Sequence, residues 1–206
     1  MMLLTRCSHT CVKRPARLCL LLALAGSRCA TAPIDAPDTS LTSLVPASET
    51  LAAKQGLLRV EDGALVNSAA PEPCVSLLPG FQATDLDIEA EVEFSDRGAP
   101  GLVFGATVVD ATIQSMYVLA LHAQGVTLWR LDRFGWAPVE SHVFAVEPNV
   151  CHKLRARAVA DKIAVAYEGE QLFVATDTFL NTPGQAGVRA VEGLCRFHAL
   201  RVRSLD

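Results

Sequence analysis

The chain is poor in aromatic residues and poor in charge, and it lacks the short motifs of several enzyme classes. Two Trp and two Tyr stand among 206 residues, and charged residues make up 19% of the total. No Cys-x-x-Cys spacing occurs, so neither a zinc knuckle nor a thioredoxin-type site is indicated. The absence of Gly-x-Ser-x-Gly, of a phosphate loop and of His-Glu-x-x-His argues against serine hydrolases of the nucleophile-elbow type, P-loop enzymes and zinc peptidases. No apolar run reaches the roughly 20 residues that a helical membrane span needs.

The sequence is rich in apolar residues, which make up 50% of it. That is enough for a sizeable core and excludes global disorder. The N-terminus reads as a secretory leader. Arg6, Lys13, Arg14 and Arg17 come with no acidic residue, the short apolar run Leu18 to Ala25 follows, and small residues Ala23 and Ala25 precede the expected cleavage after Ala25. Losing residues 1–25 takes the net charge from −4 to −8, since four cations and no anions leave with them. A domain this acidic is a poor partner for nucleic acid or an anionic membrane surface. Residues 26–53, with Pro33, Pro37 and Pro46, read as a tether, with a short helix expected around Glu49–Gln55. A lipid on Cys29 is a minor alternative, because Arg28 immediately before it fits lipid attachment poorly. Cys29, Cys74, Cys151 and Cys195 remain after the leader, and an exported compartment permits disulfides among them in three possible pairings.

Residues 54–206 carry almost only strand signals. The stretch Asp85–Phe94 alternates without a fault: Leu86, Ile88, Ala90, Val92 and Phe94 on one side, Asp85, Asp87, Glu89, Glu91 and Glu93 on the other. A period of two over this length is a strand with one dry and one wet face. His152–Ala160 mirrors it, with Lys153, Arg155 and Arg157 on its wet side, so the two stripes are expected to pair across a sheet. Asp62-Gly63 and Glu168-Gly169 mark hairpin turns. Short strands at about ten-residue spacing with Gly and Asp turns predict an all-β, two-sheet antiparallel sandwich. Gly101–Val109 and Met116–Leu121 are apolar on both faces and so need cover on both.

The order of motifs carries a resemblance. It runs through Val60-Glu61-Asp62-Gly63-Ala64, Asp85–Phe94, Gly101-Leu102-Val103-Phe104, Tyr117 and Leu128-Trp129-Arg130. It continues through Cys151-His152-Lys153-Leu154-Arg155, Tyr167–Leu172, Gly187-Val188-Arg189 and Phe197–Val202. This resembles the concanavalin A-like jelly rolls, and within them is similar to laminin-G-like domains and to the bacterial domains named for 3-keto-disaccharide hydrolase. The resemblance implies a sandwich that takes a glycan or a cell-surface protein. Ala106 stands where such domains often carry Arg, and Cys151 where they often carry Trp.

Three kinds of site are candidates. The carboxylate row could serve a laminarinase-type glycosidase. Glu89 and Glu91 would lie about 6.5–7 Å apart on their face, near the separation a retaining pair needs. The spacing, however, is Glu-x-Glu-x-Glu, and no Trp or Tyr lies on that strand. The hairpin with Trp129, Arg130, Arg133, Phe134 and Trp136 offers stacking surfaces for a sugar ring, with Gln114 and Tyr117 expected to line the same concave surface. No cofactor is expected. Calcium is the one metal ion these turn carboxylates would suit, with Asp96, Asp110 and Asp177 in turns but at no fixed spacing. His122, His142, His152 and His198 are scattered and suggest no zinc set. The first expectation is an exported binding module for a glycan or cell-surface protein, without turnover. A keto-disaccharide or glucan hydrolase is second and a structural envelope domain third.

Overall fold

A computed structural model describes residues 45–47, 58–67, 73–179 and 182–206. The leader, Cys29 and the helix expected around Glu49–Gln55 lie outside the described residues. Those described form two seven-stranded antiparallel sheets and no helix. Sheet A is β1 (Val45–Ala47), β4 (Cys74–Leu77), β13 (Gln185–Val191), β6 (Ala99–Val109), β7 (Thr112–His122), β8 (Gly125–Asp132) and β9 (Gly135–Val143), in that spatial order. Sheet B runs β12 (Glu170–Thr176), β11 (Lys162–Tyr167), β10 (His152–Val159), β5 (Leu86–Phe94), β14 (Cys195–Ser204), β3 (Ala64–Asn67) and β2 (Leu58–Glu61). This is the two-sheet jelly roll expected from the strand pattern. β1 pairs with β4 and falls inside the stretch read as a tether.

The turns explain where strands stop. Asp62 and Gly63 both hold positive φ, 51° and 81°, and Glu168 and Gly169 do the same at 50° and 83°. Two successive left-handed residues are the geometry of the two-residue hairpin whose twist matches the strands. Between the sheets lies the main core. Its largest members, Phe94, Phe104, Tyr117 and Phe197, are all but sealed from water, and Phe104 stacks on Tyr117 with centroids 5.5 Å apart. His152 is buried at one end of this core. Its Nε2 donates to the Glu147 carbonyl at 2.7 Å and the Tyr167 hydroxyl reaches its Nδ1 at 2.8 Å.

β5 sits between the two basic strands β10 and β14. Its dry face, Leu86 to Phe94, is core. Its wet face meets cations on both sides. Across from β14, Arg201 reaches Glu89 at 3.3 Å, Arg203 reaches Asp87 at 3.0 Å, and His198 Nε2 lies 3.1 Å from Glu93. Toward β10 the register partners are Lys153 with Glu91, Arg155 with Glu89 and Arg157 with Asp87. The ion pairs instead run one step diagonally. Lys153 binds Glu89 at 3.1 Å, and Arg155 grips Asp87 through Nε and Nη2 at 2.7 and 2.6 Å. Cross-strand diagonals are within reach of long side chains. The diagonal choice leaves Glu91 at one end of the ladder and Arg157 at the other.

Asp87 is only 8% exposed and takes two guanidinium groups. Burial alone would raise its pKa. The hydrogen bonds and charge of Arg155, then of Arg203, outweigh that and hold it below its ordinary 3.8. A depressed carboxyl contributes stability that is present above its unfolded pKa and lost as pH falls through the folded one. Because both arginines are well exposed, the pairs are screened by solvent. Asp87→Ala is expected to lower stability at pH 7 by about 1–2 kcal/mol. It should also flatten the loss of stability below about pH 4, read as urea midpoints at neutral and acid pH.

Cys74 and Cys195 are buried in the core as thiols. Burial pushes the Cys195 thiol up to about 12. Since the thiolate is the reactive form, Cys195 should stay silent toward a chromogenic disulfide reagent in the native protein. It should react once the sandwich is unfolded, and reaction at the native state would contradict this placement.

Candidate functional site

The outer face of sheet A carries a second, smaller apolar cluster. Val75, Leu77, Val103, Met116, Val118 and Ala120 are buried there, with Trp129 and Leu131 packed beside them. This accounts for the strands that are apolar on both faces. One bridge crosses the cluster. The Arg189 guanidinium of β13 lies over the Trp136 ring of β9, 4.8 Å from its centroid. Those strands are four apart in the sheet, about 19 Å at some 4.8 Å per step. Two side chains meet over that span only if the sheet curls toward them, so the outer face of sheet A is concave.

Register places a row of residues across this concavity. Arg189 opposes Gly101, Gly101 opposes Ala120, Ala120 opposes Thr127, and Thr127 opposes Ser141. Directly opposed residues share a face. The middle of the row is low, because Gly101 has no side chain and Ala120 only a methyl. A Cβ on Gly101 would stand 2.7 Å from Val118 Cγ1. The result is a shallow groove across the strands, with Arg189 at one end and hydroxyls at the other, whose floor is largely covered, since Ala120 and Thr127 are each 7% exposed. Trp129, two residues from Thr127 and on its face, flanks the groove.

The hydroxyl end is a defined network. Ser141 Oγ donates to Thr127 Oγ1 at 3.2 Å, and His122 Nε2 lies 3.1 Å from the same oxygen. The Gln124 amide donates to His122 Nδ1 at 3.3 Å. Burial lowers the His122 pKa, so the ring is neutral at pH 7 and carries one proton. With Nδ1 accepting, that proton is on Nε2 and is donated to Thr127. Thr127 Oγ1 thus accepts twice. His122, Thr127, Ser141 and Arg189 did not stand out in the linear chain. Only the hairpin register of β7, β8 and β9, and the face of β13, brings them together.

The residues singled out from sequence divide between faces. Trp129 and Trp136 lie on the concave face. Tyr117 and Arg130 are register partners on the opposite, inward side. Asp132 accepts from Arg130 Nε at 3.1 Å and from the Phe134 amide at 2.8 Å, so the turn itself aims the guanidinium. Arg130 Nη1 then reaches Asp177, just after β12, at 2.7 Å, with Phe179 under the guanidinium at 5.2 Å. Arg130 therefore ties sheet A to sheet B. Gln114 is exposed near the turn joining β6 and β7, and Phe134 is exposed at the hairpin tip with Arg133 over its ring at 4.6 Å. The carboxylate row is on the outer face of sheet B, away from the aromatics. Among the described residues no group of three or more His, Cys, Asp or Glu could hold a metal ion, and Asp177 is committed to Arg130.

Among the described residues the Tyr117 hydroxyl is buried with no partner at hydrogen-bond distance. Burial, and then the Asp177 carboxylate, push its ionisation far above the usual phenol range, so it stays neutral. An orphaned buried hydroxyl is a cost, not a contact. Tyr117→Phe is expected to leave thermal stability unchanged or raise it, by up to about 1 kcal/mol. A loss above that size in a denaturant titration would mean that the hydroxyl has a partner.

No protein-family model and no curated protein matches the chain. Its fold does match solved structures. The carbohydrate-binding module CBM66 from Bacillus subtilis superposes with a TM-score of 0.66 at 15% identity, covering 84% of this chain and 100% of that one. A Bacillus subtilis protein of unknown function with a galectin-like fold gives 0.61 at 11% identity, covering 79% and 90%. The Bacillus licheniformis β-glucanase gives 0.58 at 11% identity, covering 79% and 93%. The chain has the concanavalin A-like jelly-roll fold, which it shares with carbohydrate-binding and glycan-cleaving proteins.

Proposed function

We propose that this chain is an exported glycan-binding module that holds its ligand without turning it over. The observation that carries the reading is the groove on the concave face of sheet A. It joins a stacking surface, Trp129 and the 39% exposed Trp136, to the Thr127–Ser141 hydroxyls, with the Arg189 guanidinium lying over the Trp136 ring. A sugar offers an apolar ring face and a rim of hydroxyls, and this groove matches both. The fold-sharing carbohydrate-binding module supports the same reading.

Hydrolysis has less support. Acid-base cleavage of a glycosidic bond uses two carboxyl groups flanking it. Among the described residues, the row from Arg189 to Ser141 has none. Asp87, Glu89 and Glu93 on the other face are each engaged by basic side chains. Export is supported by the leader-like N-terminus.

The test is a glycan array followed by titration of the best ligand. Trp136→Ala should weaken binding about tenfold, the scale of one lost aromatic contact plus its area. No reducing ends should appear on prolonged incubation. Sugar release that disappears in Glu91→Gln would replace this reading with a hydrolase. A blank array with the Trp136→Ala variant unchanged would remove the groove as a ligand site.

A further inference from the structure

The outer face of sheet B holds a cavity of about 240 Å³ over β10, β11 and β12, lined by Arg155, Arg157, Ala164, Ala166, Gly169 and Gln171. The register explains its shape. Arg155 opposes Ala166, which opposes Gln171, and Arg157 opposes Ala164, which opposes Val174. Long side chains on the outer two strands thus flank methyl groups on the middle one. Period-two alternation puts the β10 and β11 residues on the same face, and the extra residue in β12, where Phe173 and Gln171 oppose the successive Val165 and Ala166, returns Gln171 to the face of Val174. The trough follows from two alanines between two rows of longer residues.

Its chemistry is cationic. Arg155 is fixed by its two-point grip on Asp87, which leaves the other edge of the planar guanidinium with donors uncommitted. Arg157 has Asp87 as its register partner, but that carboxylate is already taken by Arg155 and Arg203. The diagonal step of the ion-pair ladder therefore leaves Arg157 with no ion pair among the described residues. Two guanidinium groups on one face, two residues apart, with Asp87 already shared between Arg155 and Arg203, make a local positive centre in a chain whose net charge is −4. Gln171 adds an amide on the far wall. Paired guanidinium groups with an amide opposite suit a planar or tetrahedral oxyanion.

We infer that this trough binds the carboxylate or sulfate group of an anionic saccharide. The saccharide part of the inference rests on the glycan-binding reading, while the site itself is on the opposite side of the sandwich from the Trp136 groove. Calorimetric titration of the full chain with a sulfated disaccharide, a uronic-acid disaccharide and their neutral parent reads it directly. An anionic disaccharide should bind at least tenfold more tightly than the neutral one. Arg157→Ala should abolish that preference, and raising the salt concentration should shrink it. Arg157 is exposed, so its removal should leave the thermal midpoint unchanged. Ala164→Phe, which fills the trough without touching charge, should weaken the anionic ligand in the same way. Retention of any neutral glycan at the Trp136 groove should be unaffected by Arg157→Ala, so failure of one site is visible apart from failure of the other. Equal affinity for anionic and neutral disaccharides would overturn the inference, as would an unchanged Arg157→Ala variant. Inorganic sulfate binding as tightly as the sulfated disaccharide would overturn the saccharide assignment.

Discussion

β5 can be dry on one side and carry a row of carboxylates on the other only because basic strands flank it. β10 and β14 supply Lys153, Arg155, Arg201 and Arg203 at ion-pair distance. Without them, like charges stacked along one strand face would repel one another and oppose the pairing that brings Leu86 to Phe94 into the core. The main core depends on that central strand. Each large side chain it seals contributes about 1.5–3 kcal/mol, whereas the half-exposed ion pairs contribute little each. The charges therefore set which strands are neighbours, and the apolar face supplies the stability.

The same strand separates the two faces of the molecule by function. On sheet B Asp87, Glu89 and Glu93 are engaged by basic side chains, and the diagonal step leaves Glu91 at one end of the ladder and Arg157 at the other. On sheet A the outer face has no such ladder. It curls, buries its own apolar cluster and presents aromatic rings, hydroxyls and one guanidinium across a groove. Flatness on this face would put Arg189 and Trp136 far apart, so the groove is a property of sheet curvature and not of any single residue.

Much of the fold was legible in the chain. The alternation of Asp85–Phe94 and of His152–Ala160 predicted two wet-and-dry strands, and their complementary charge predicted that they pair, as they do. Asp62-Gly63 and Glu168-Gly169 marked hairpins that hold positive φ. β1 was not legible, since Val45–Ala47 is three residues with Pro46 at their centre, in a Pro-rich stretch. The site was legible only in part. Trp129 and Trp136 were visible as scarce aromatics on one hairpin, but Tyr117 and Arg130 were grouped with them although strand parity sends them inward.

Local pattern determined what each strand is: its period, its dry face, its turn residues and the sign of its charge. Those follow from backbone geometry and the exclusion of apolar groups from water, which act over a few residues. Tertiary structure alone decided which residues meet. The registers that align Arg189, Gly101, Ala120, Thr127 and Ser141, and the diagonal step that leaves Arg157 unpaired, arise from contacts between strands far apart in sequence. Such pairings depend on the packing of both sheets at once, and no local window of the chain contains them.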